Sequence, residues 1–195
     1  MLRHHRRDDE AEHRLVLPED RAFQLDVNSR GLLDTLVFRP TTLHQPGPGE
    51  VEIRVQATGL NFKDVLKALG RYPGADNLLG DECSGTITAV GEGVKEVQVG
   101  DEVVGVAYGS FSSSIVTRAD LVVPKPHNLS FAQAVTMPIA FLTAYYTLHH
   151  LAKISAGKRV LIHAAAGGVG MAAVQLAQQV GAEIFATAGS PRKRA

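Results

Sequence analysis

Between about residues 22 and 125, short apolar runs follow one another, and several of them alternate with polar residues. Turn signals such as QPGPGE, GEG and QVGD separate the runs. Because side chains alternate between the two faces of a strand, this pattern predicts many short strands, as in a β-barrel or a β-sandwich. One stretch differs: in 61–70 the apolar residues recur at helical spacing, and Gly70 can end the helix.

After about residue 130 the hydrophobic pattern changes from strands to helices. Ser130 can cap a helix, and we expect helical structure from there to about residue 151. A strand at 159–163, a helix at 168–180 and a strand at 183–188 follow. Elements in this order form one βαβ unit, which opens a doubly wound nucleotide-binding sheet.

These patterns divide the 195 residues into three parts and place the chain in the α/β class with a β-rich part. Residues 1–20 are predicted to be a charged tail or linker, because they offer little to bury. Residues 21–130 are predicted to form the β-rich domain, and residues 131–195 the start of the nucleotide-binding domain.

The composition narrows the partners and the location of the protein. Lys plus Arg equals Asp plus Glu at 20 each, so the net charge does not favour nucleic acid as a partner. No signal peptide is visible, and Cys83 is the single cysteine, so we expect a cytoplasmic protein. The longest apolar run, 134–148, contains Pro138 and is shorter than the ~20 residues of a membrane helix. We predict that it is a buried helical segment, with no membrane association.

The segment between the strand at 159–163 and the next helix is a candidate phosphate-binding turn. Its residues approach the dinucleotide pattern G-x-G-x-x-G, with Ala165 at the first glycine position, then Gly167 and Gly170, and an additional Gly168. Gly167 would let the backbone approach a pyrophosphate, which the unpaired N–H groups of a helix N-terminus can bind. The alternative is that the glycines only let the helix pack closely on the strand.

The end of the second strand indicates which cofactor the turn would bind. In NAD-binding proteins an acidic residue at this end binds the ribose 2′-hydroxyl, but here Glu183 is at the start of the strand. Ser190, Lys193 and Arg194 follow the strand, and their hydroxyl and cationic groups suit a 2′-phosphate. We therefore predict that the cofactor is NADPH. The alternative is that these charged residues form a run that is only exposed to solvent.

Three longer stretches resemble one family of enzymes. The first is similar to the cofactor-binding segment of zinc-free medium-chain reductases: HAAAGGVGMAAVQLAQQVGAEIFATAGSPRKR. Two others resemble the enoyl reductase domain of modular polyketide synthases and animal-type fatty acid synthases: GLNFKDVLKALGRYPG and PIAFLTAYYTLHHLAKISAGKRVLIHAAAGGVG. The resemblance runs from about Phe23 to the C-terminus. It implies a GroES-like β-barrel domain on the substrate side, followed by the first βαβ unit of a Rossmann domain.

The resemblance also implies a reaction and partners. Enoyl reductases of this family transfer a hydride from NADPH to the β-carbon of an α,β-unsaturated acyl thioester, and a proton then reaches the α-carbon. The phosphopantetheine arm of an acyl carrier protein presents the substrate, and neighbouring synthase domains flank the reductase. In complete relatives the chain continues beyond this point of the Rossmann domain, so we expect weak cofactor binding and little activity from the 195 residues alone.

Tyr72, in ALGRYPG, is the candidate catalytic residue. A phenol can deliver a proton to a developing enolate, and in the resembling reductases a tyrosine at this place is linked to the configuration of α-protonation. The alternative is that a tyrosine before Pro-Gly only packs in a turn.

The resemblance implies further contacts with the cofactor. Asn61 corresponds to a residue that faces the nicotinamide, and Thr143, in FLTAYY, to one that contacts it. The residues of the turn that would hold the pyrophosphate are Ala166, Gly167, Gly168, Val169 and Gly170. On the helix at 61–70, Lys63 is interpreted as solvated and Asp64 as a stabiliser of the helix start.

The residues at the positions of zinc ligands argue against a metal site. Zinc-dependent relatives carry a cysteine in the stretch that corresponds to GLNFKD, and a His-Glu pair in the stretch that corresponds to GDECSG. Asn61 and the pair Asp81 and Glu82 stand there instead. Carboxylates without a soft donor are poor zinc ligands, so we expect no metal. Cys83 is interpreted as a small buried residue.

Two other functions stay open at this point. A zinc-free NADPH quinone oxidoreductase would share the fold and the glycine turn, and would differ in its substrate. A non-catalytic fragment would share the elements without the activity.

Overall fold

The structure is a computed structural model that describes residues 15–18, 22–42, 44–74 and 78–193. Arg194 and nearly all of the predicted tail at 1–20 lie outside the described residues.

The N-terminal part is built from antiparallel strands, as the alternating pattern predicts. Strands β1 (Phe23–Val27) and β2 (Leu36–Pro40) form a two-stranded ribbon. A five-stranded sheet has the order β6-β3-β4-β5-β7. Its strands are β3 (Glu50–Thr58), β4 (Glu82–Val90), β5 (Glu102–Val106), β6 (Ser114–Arg118) and β7 (Val122–Pro124). The ribbon is bonded to the segment that leads into β6, since Leu25 N–H donates to Phe111 C=O at 2.7 Å and Ser113 N–H donates to Phe23 C=O at 2.9 Å.

The five-stranded sheet curls towards a barrel. The hydroxyl of Thr117 on β6 donates to the carbonyl of Val106 at the end of β5, at 3.0 Å, although β3 and β4 lie between these strands in the sheet. A flat sheet would separate β6 from β5 by about 14 Å, three times the spacing of neighbouring strands. The apolar side chains buried inside the curl are Val51, Ile53, Cys83, Ile87, Val97, Val103, Ala107, Ala119 and Val122.

Helix α1 (Phe62–Ala68) lies between β3 and β4 in the chain. It falls within the predicted helix at 61–70, and Gly70 follows it with φ of 64°, the left-handed conformation that glycine adopts readily at a helix end. At its other end, the helix begins directly after Asn61, one of the candidate cofactor contacts.

The C-terminal part is the predicted βαβ unit preceded by helices. Two helices, α2 (Phe131–Ala134) and α3 (Pro138–Tyr145), lead into a π-helical turn at Tyr146–Leu151. Strand β8 (Arg159–Ile162), helix α4 (Gly168–Gln179) and strand β9 (Glu183–Ala186) follow. The two strands are parallel. Three short 3₁₀ turns complete the described elements: Leu33–Thr35, Ala119–Leu121 and Pro191–Lys193.

Small residues bring α3 and α4 into contact. Ala144 on α3 is fully buried in the same cluster as Ala172, Ala173 and Ala177 on α4. Alanine side chains let two helix backbones approach closely, so α4 and the turn before it have a defined position relative to α3.

The apolar run at 134–148 is helical, as predicted, but it is not buried throughout. Leu142, Tyr145 and Tyr146 are each more than half exposed, because α4 covers only one face of the helix. Leu142 and Tyr145 line an open groove of about 470 Å³ against β5 and β7. Among the helices that the structure describes, none has the length and apolar character needed to cross a membrane.

Candidate functional site

The candidate phosphate turn lies between the end of β8 and the start of α4. The first hydrogen bond within the helix runs from Met171 N–H to Gly167 C=O at 2.8 Å. The amides of Gly168, Val169 and Gly170 precede it and are the first N–H groups of a 12-residue helix, which carries a partial positive charge at this end.

The glycines of this turn have different roles. A Cβ on Gly170 would lie 2.7 Å from Cα of Ala165 and closer still to the carbonyl oxygen of Ala164. Gly170 is therefore required by the close packing of α4 on the turn. A Cβ on Gly168 would meet no heavy atom within 4 Å, so packing does not explain this glycine, and the space beside it is open to a ligand.

Thr187, directly after β9, connects the second strand to the glycine turn, and the sequence analysis missed it. Its hydroxyl lies 3.1 Å from Nδ1 of His163 and accepts the N–H of Ala164 at 3.3 Å. Its carbonyl accepts the N–H of Ala165 at 3.0 Å. The signal was available, since a threonine at the end of a second parallel strand lies beside the turn that follows the first strand.

The candidate 2′-phosphate contacts lie just beyond Thr187. Ser190 is partly buried and Lys193 is exposed, and the N–H of Lys193 donates to the carbonyl of Ser190 at 3.1 Å. Both follow the carboxyl end of β9, the side of the sheet on which open α/β folds bind ligands.

Glu82, the first residue of β4, connects the β-rich part to α3. One carboxylate oxygen accepts the side-chain amide of Asn61 at 2.8 Å, and the other accepts the N–H of Ile139 at 2.8 Å. The side chain is buried, and Gly59 is needed beside it, since a Cβ there would overlap Oε1. Both oxygens of Glu82 therefore hold parts of the candidate site: Asn61 directly, and through Ile139 the helix that carries Thr143.

The pKa of Glu82 is raised above its ordinary value. Burial is the main cause, and the neighbouring charges of Asp81 and Asp64 act in the same direction. The hydrogen bonds from Ile139 and Asn61 oppose the shift without cancelling it. The carboxylate is thus a buried group that accepts a hydrogen bond at each oxygen, at the boundary between the two parts of the chain.

Asp64 stabilises the start of α1, as predicted, and also holds the loop before β4. One carboxylate oxygen accepts the N–H of Asn61 at 2.9 Å, and the other accepts the N–H of Gly80 at 2.8 Å. Asp64 is buried, so these two bonds are shielded from water.

Lys63 is only about one-third exposed and is ion-paired, whereas the interpretation from sequence was a solvated side chain. Its ammonium group donates to the carboxylate of Asp81 at 2.8 Å, and the Asp81 side chain is only 4% exposed. Lys63 also lies beside Tyr72, with its Nζ atom 5.8 Å from the centre of the ring. The helical pattern could not reveal this, because the partner Asp81 comes from a different segment.

The residues at the positions of zinc ligands in the metal-dependent relatives are bonded to protein groups instead. Asp81 pairs with Lys63, and Glu82 with Asn61 and Ile139. Cys83 is fully buried, and burial raises the pKa of its thiol to about 12. Within the described residues, no three His, Cys, Asp or Glu side chains come together as a metal site requires. The absence of zinc chemistry stays a prediction.

Residues 47–127 match the family of alcohol dehydrogenase GroES-like domains. This part of the chain is a GroES-like domain. The β-rich domain expected from the resemblance is therefore confirmed, followed by the start of a Rossmann-like sheet in β8, α4 and β9.

Relatives cover both the GroES-like domain and the βαβ unit. A phenolphthiocerol/phthiocerol polyketide synthase of Mycobacterium tuberculosis is 47% identical over 176 residues, which are 89% of this chain and 8% of that protein. The crystal structure of the CurK enoyl reductase is 50% identical with a TM-score of 0.85, over 90% of this chain and 56% of that one. The resemblance to polyketide synthase enoyl reductases is thereby confirmed.

A quinone oxidoreductase has the same fold at lower identity. The structure of the Escherichia coli enzyme complexed with NADPH is 34% identical with a TM-score of 0.77, over 88% of this chain and 54% of that one. The present chain thus spans less than a tenth of the curated synthase and little more than half of each solved reductase.

The GroES-like domain carries Asn61 and Tyr72, while Thr143 and the glycine turn belong to the elements after it. The structure connects Asn61 with the helix of Thr143 through Glu82, and connects that helix with α4 through the alanine contacts. Tyr72 is connected to the same region through Lys63 of α1.

Proposed function

We propose that this chain is part of an enoyl reductase that uses NADPH to reduce an α,β-unsaturated acyl thioester. The observation that supports this most strongly is the 50% identity to the CurK enoyl reductase over 90% of the chain, against 34% to the quinone oxidoreductase. The polyketide synthase relative favours a substrate on the phosphopantetheine arm of an acyl carrier protein and neighbouring synthase domains as partners.

The residues present fit a nicotinamide dinucleotide. The open space beside Gly168 and the first amides of α4 suit a pyrophosphate, and Thr187 holds the turn in place. In our proposal Ala166, Gly167, Gly168, Val169 and Gly170 form this pyrophosphate turn. The cofactor supplies the hydride that adds to the β-carbon of the substrate.

Asn61 and Thr143 are the proposed contacts at the nicotinamide end. Glu82 fixes the amide of Asn61, because its carboxylate can only accept and so turns the NH₂ group of Asn61 towards itself. Thr143 lies one helical turn after Ile139, on the helix that Glu82 also holds. One buried carboxylate would thus position both contacts.

Tyr72 is the proposed proton donor. Hydride addition to the β-carbon moves the double-bond electrons towards the thioester carbonyl, and the α-carbon then takes the proton from the phenol. The phenolate left behind recovers a proton from water. Tyr72 is partly buried, so water can still reach the residue.

The preference for NADPH rests on the residues after β9. The carboxylate that would bind a ribose 2′-hydroxyl is absent from that end of the strand, and Ser190, Lys193 and Arg194 offer a hydroxyl and two cations for a 2′-phosphate. We expect Lys193→Glu to weaken NADPH binding by about tenfold, as for the loss of one charge-assisted contact of ~1.4 kcal/mol, and to leave NADH binding nearly unchanged. Binding of NADPH and NADH that is weakened equally by this substitution would contradict the assignment.

The proposed reaction is tested on the full-length protein that contains this chain. NADPH oxidation is followed with a crotonyl thioester of pantetheine and, separately, with a benzoquinone. We expect turnover of the thioester and the saturated acyl product. Turnover of the quinone alone would favour the quinone oxidoreductase, and no turnover of either, together with no thermal shift by NADPH, would favour a non-catalytic protein.

A further inference from the structure

The ion pair between Lys63 and Asp81 differs from an ordinary surface pair. Exposed pairs contribute little, because water solvates both charges. Here Asp81 is buried and Lys63 is about one-third exposed, with a distance of 2.8 Å between Nζ and Oδ1. Burial alone would lower the pKa of Lys63, but the hydrogen bond and the charge of Asp81 outweigh it and raise that pKa. The ammonium group is therefore charged and held in one place.

Two tyrosine rings face this ammonium group. Its Nζ atom lies 5.8 Å from the ring centre of Tyr72 and 5.3 Å from that of Tyr108, both within the ~6 Å at which a cation is attracted to an aromatic face. Lys67, one turn further along α1, places a second ammonium group 5.7 Å from the ring of Tyr72. The backbone carbonyl of Leu78 accepts a hydrogen bond from Lys67 at 2.6 Å.

The segment after α1 also restrains Tyr72. Its N–H donates to the carbonyl of Leu66 at 3.2 Å. A Cβ on Gly74 would lie 2.7 Å from Cε1 of the ring, so the ring packs directly over a glycine. The Tyr72 ring thus contacts the two ammonium groups of α1 and the backbone of its own turn.

We propose that Lys63, held by Asp81, is a positioning residue that fixes the orientation of the Tyr72 ring. This inference rests on the proposed function, in which Tyr72 delivers a proton to the α-carbon. A Tyr72 side chain held in one rotamer keeps its hydroxyl on one face of the α-carbon, whereas a side chain that changes χ1 would move the hydroxyl and deliver the proton to both faces. Lys63 thereby determines the configuration of the product without touching the substrate.

The test uses the full-length protein and an enoyl thioester with a methyl group on its α-carbon, which becomes a stereocentre. Lys63→Met removes the charge and keeps most of the stem, Lys63→Arg keeps the charge, and Lys95→Met is the control on an exposed lysine. We expect Lys63→Met to lower the ratio of the two products by about two- to tenfold, the loss of one cation–π contact. We expect the product ratio of Lys63→Arg to lie between those of Lys63→Met and the native protein, and that of Lys95→Met to equal the native ratio. The KM for NADPH should be the same in all three variants.

A second readout does not depend on the reaction. Hydrogen–deuterium exchange of the peptide that contains Tyr72 is expected to become faster in Lys63→Met and in Asp81→Asn, and not in Lys95→Met. Unchanged exchange together with an unchanged product ratio in Lys63→Met would overturn the inference. Tyr72→Phe separates the two proposals: if it alters neither rate nor configuration, the proton-donor role is wrong, and the exchange data still decide whether Lys63 restrains the segment that carries Tyr72.

Discussion

Adding one methyl group should destabilise the chain at Gly170 but not at Gly168. In Gly170→Ala the new Cβ would lie 2.7 Å and 2.8 Å from Cα and C of Ala165, with the Ala164 oxygen closer still. These are backbone atoms that cannot rotate away, so α4 must shift. Overpacking of this kind costs about 1–3 kcal/mol, and the better helix propensity of alanine returns up to ~1 kcal/mol.

For Gly170→Ala we therefore expect a net loss of about 1–2 kcal/mol, which is a fall in Tm of about 2–8 °C for a chain of this size. Gly168→Ala meets no atom within 4 Å, so its Tm should stay the same or rise by up to ~4 °C. Thermal unfolding followed by circular dichroism measures both variants. A Gly170→Ala chain that unfolds at or above the temperature of the native sequence would refute the packing argument.

The same pair of variants tests whether the turn binds a phosphate. If a pyrophosphate occupies the space beside Gly168, the methyl group of Gly168→Ala should weaken NADPH binding by about tenfold, or ~1.4 kcal/mol, without loss of stability. The thermal shift produced by NADPH in the full-length protein measures this. A Gly168→Ala protein with the full NADPH shift would show that the glycine turn is a packing device alone.

Three further outcomes are expected. Burial raises the pKa of Glu82, so the folded chain binds the carboxyl proton more tightly than the unfolded chain does. The protonated side chain therefore adds stability at low pH, and this stability is lost as the pH rises from about 4.3 through the folded pKa. The free energy of unfolding of Glu82→Gln, measured by urea titration across this range, should lack that pH dependence. Thr187→Val should lower the free energy of unfolding by about 1 kcal/mol, because it removes the hydroxyl contacts with His163 and Ala164, and an unchanged urea midpoint would contradict this. Cys83, buried and with its pKa raised to about 12, should react with a thiol reagent at neutral pH only after unfolding, so rapid labelling of the native chain would contradict its placement.

The elements of the βαβ unit could be predicted because each buries one face in a regular pattern. The predicted strand at 159–163 and helix at 168–180 correspond to Arg159–Ile162 and Gly168–Gln179. The second strand ends at Ala186, two residues before its predicted end: Thr187 N–H still donates to the carbonyl of Ile162 on β8, but the Thr187 carbonyl accepts the N–H of Ala165 in the glycine turn. A hydrophobic pattern reports only on neighbouring residues in the sequence. It could not predict a bond between Thr187 and Ala165, which lie in separate segments.

The exposure of the helix at 138–145 shows a second limit of the sequence pattern. An unbroken apolar run predicts burial on all sides, yet Leu142 and Tyr145 face an open groove. Hydrophobicity shows that a side chain gains from burial, but the partner that buries it is set by tertiary packing. The four alanines between α3 and α4 illustrate the same point, since their closeness determines which face of the helix is covered.

The pair Asp81 and Glu82 shows why the chemistry of the site was only partly predictable. From sequence, these residues marked positions where a metal ligand set was missing. In the structure, both carboxylates bind the start of α1: Asp81 holds Lys63, and Glu82 holds Asn61. Two buried acids require cationic or N–H partners, since an unpaired buried charge is costly. Lys63, the amide of Asn61 and the N–H of Ile139 supply them. Through α1 these contacts connect the proposed nicotinamide contact, Asn61, with the proposed proton donor, Tyr72.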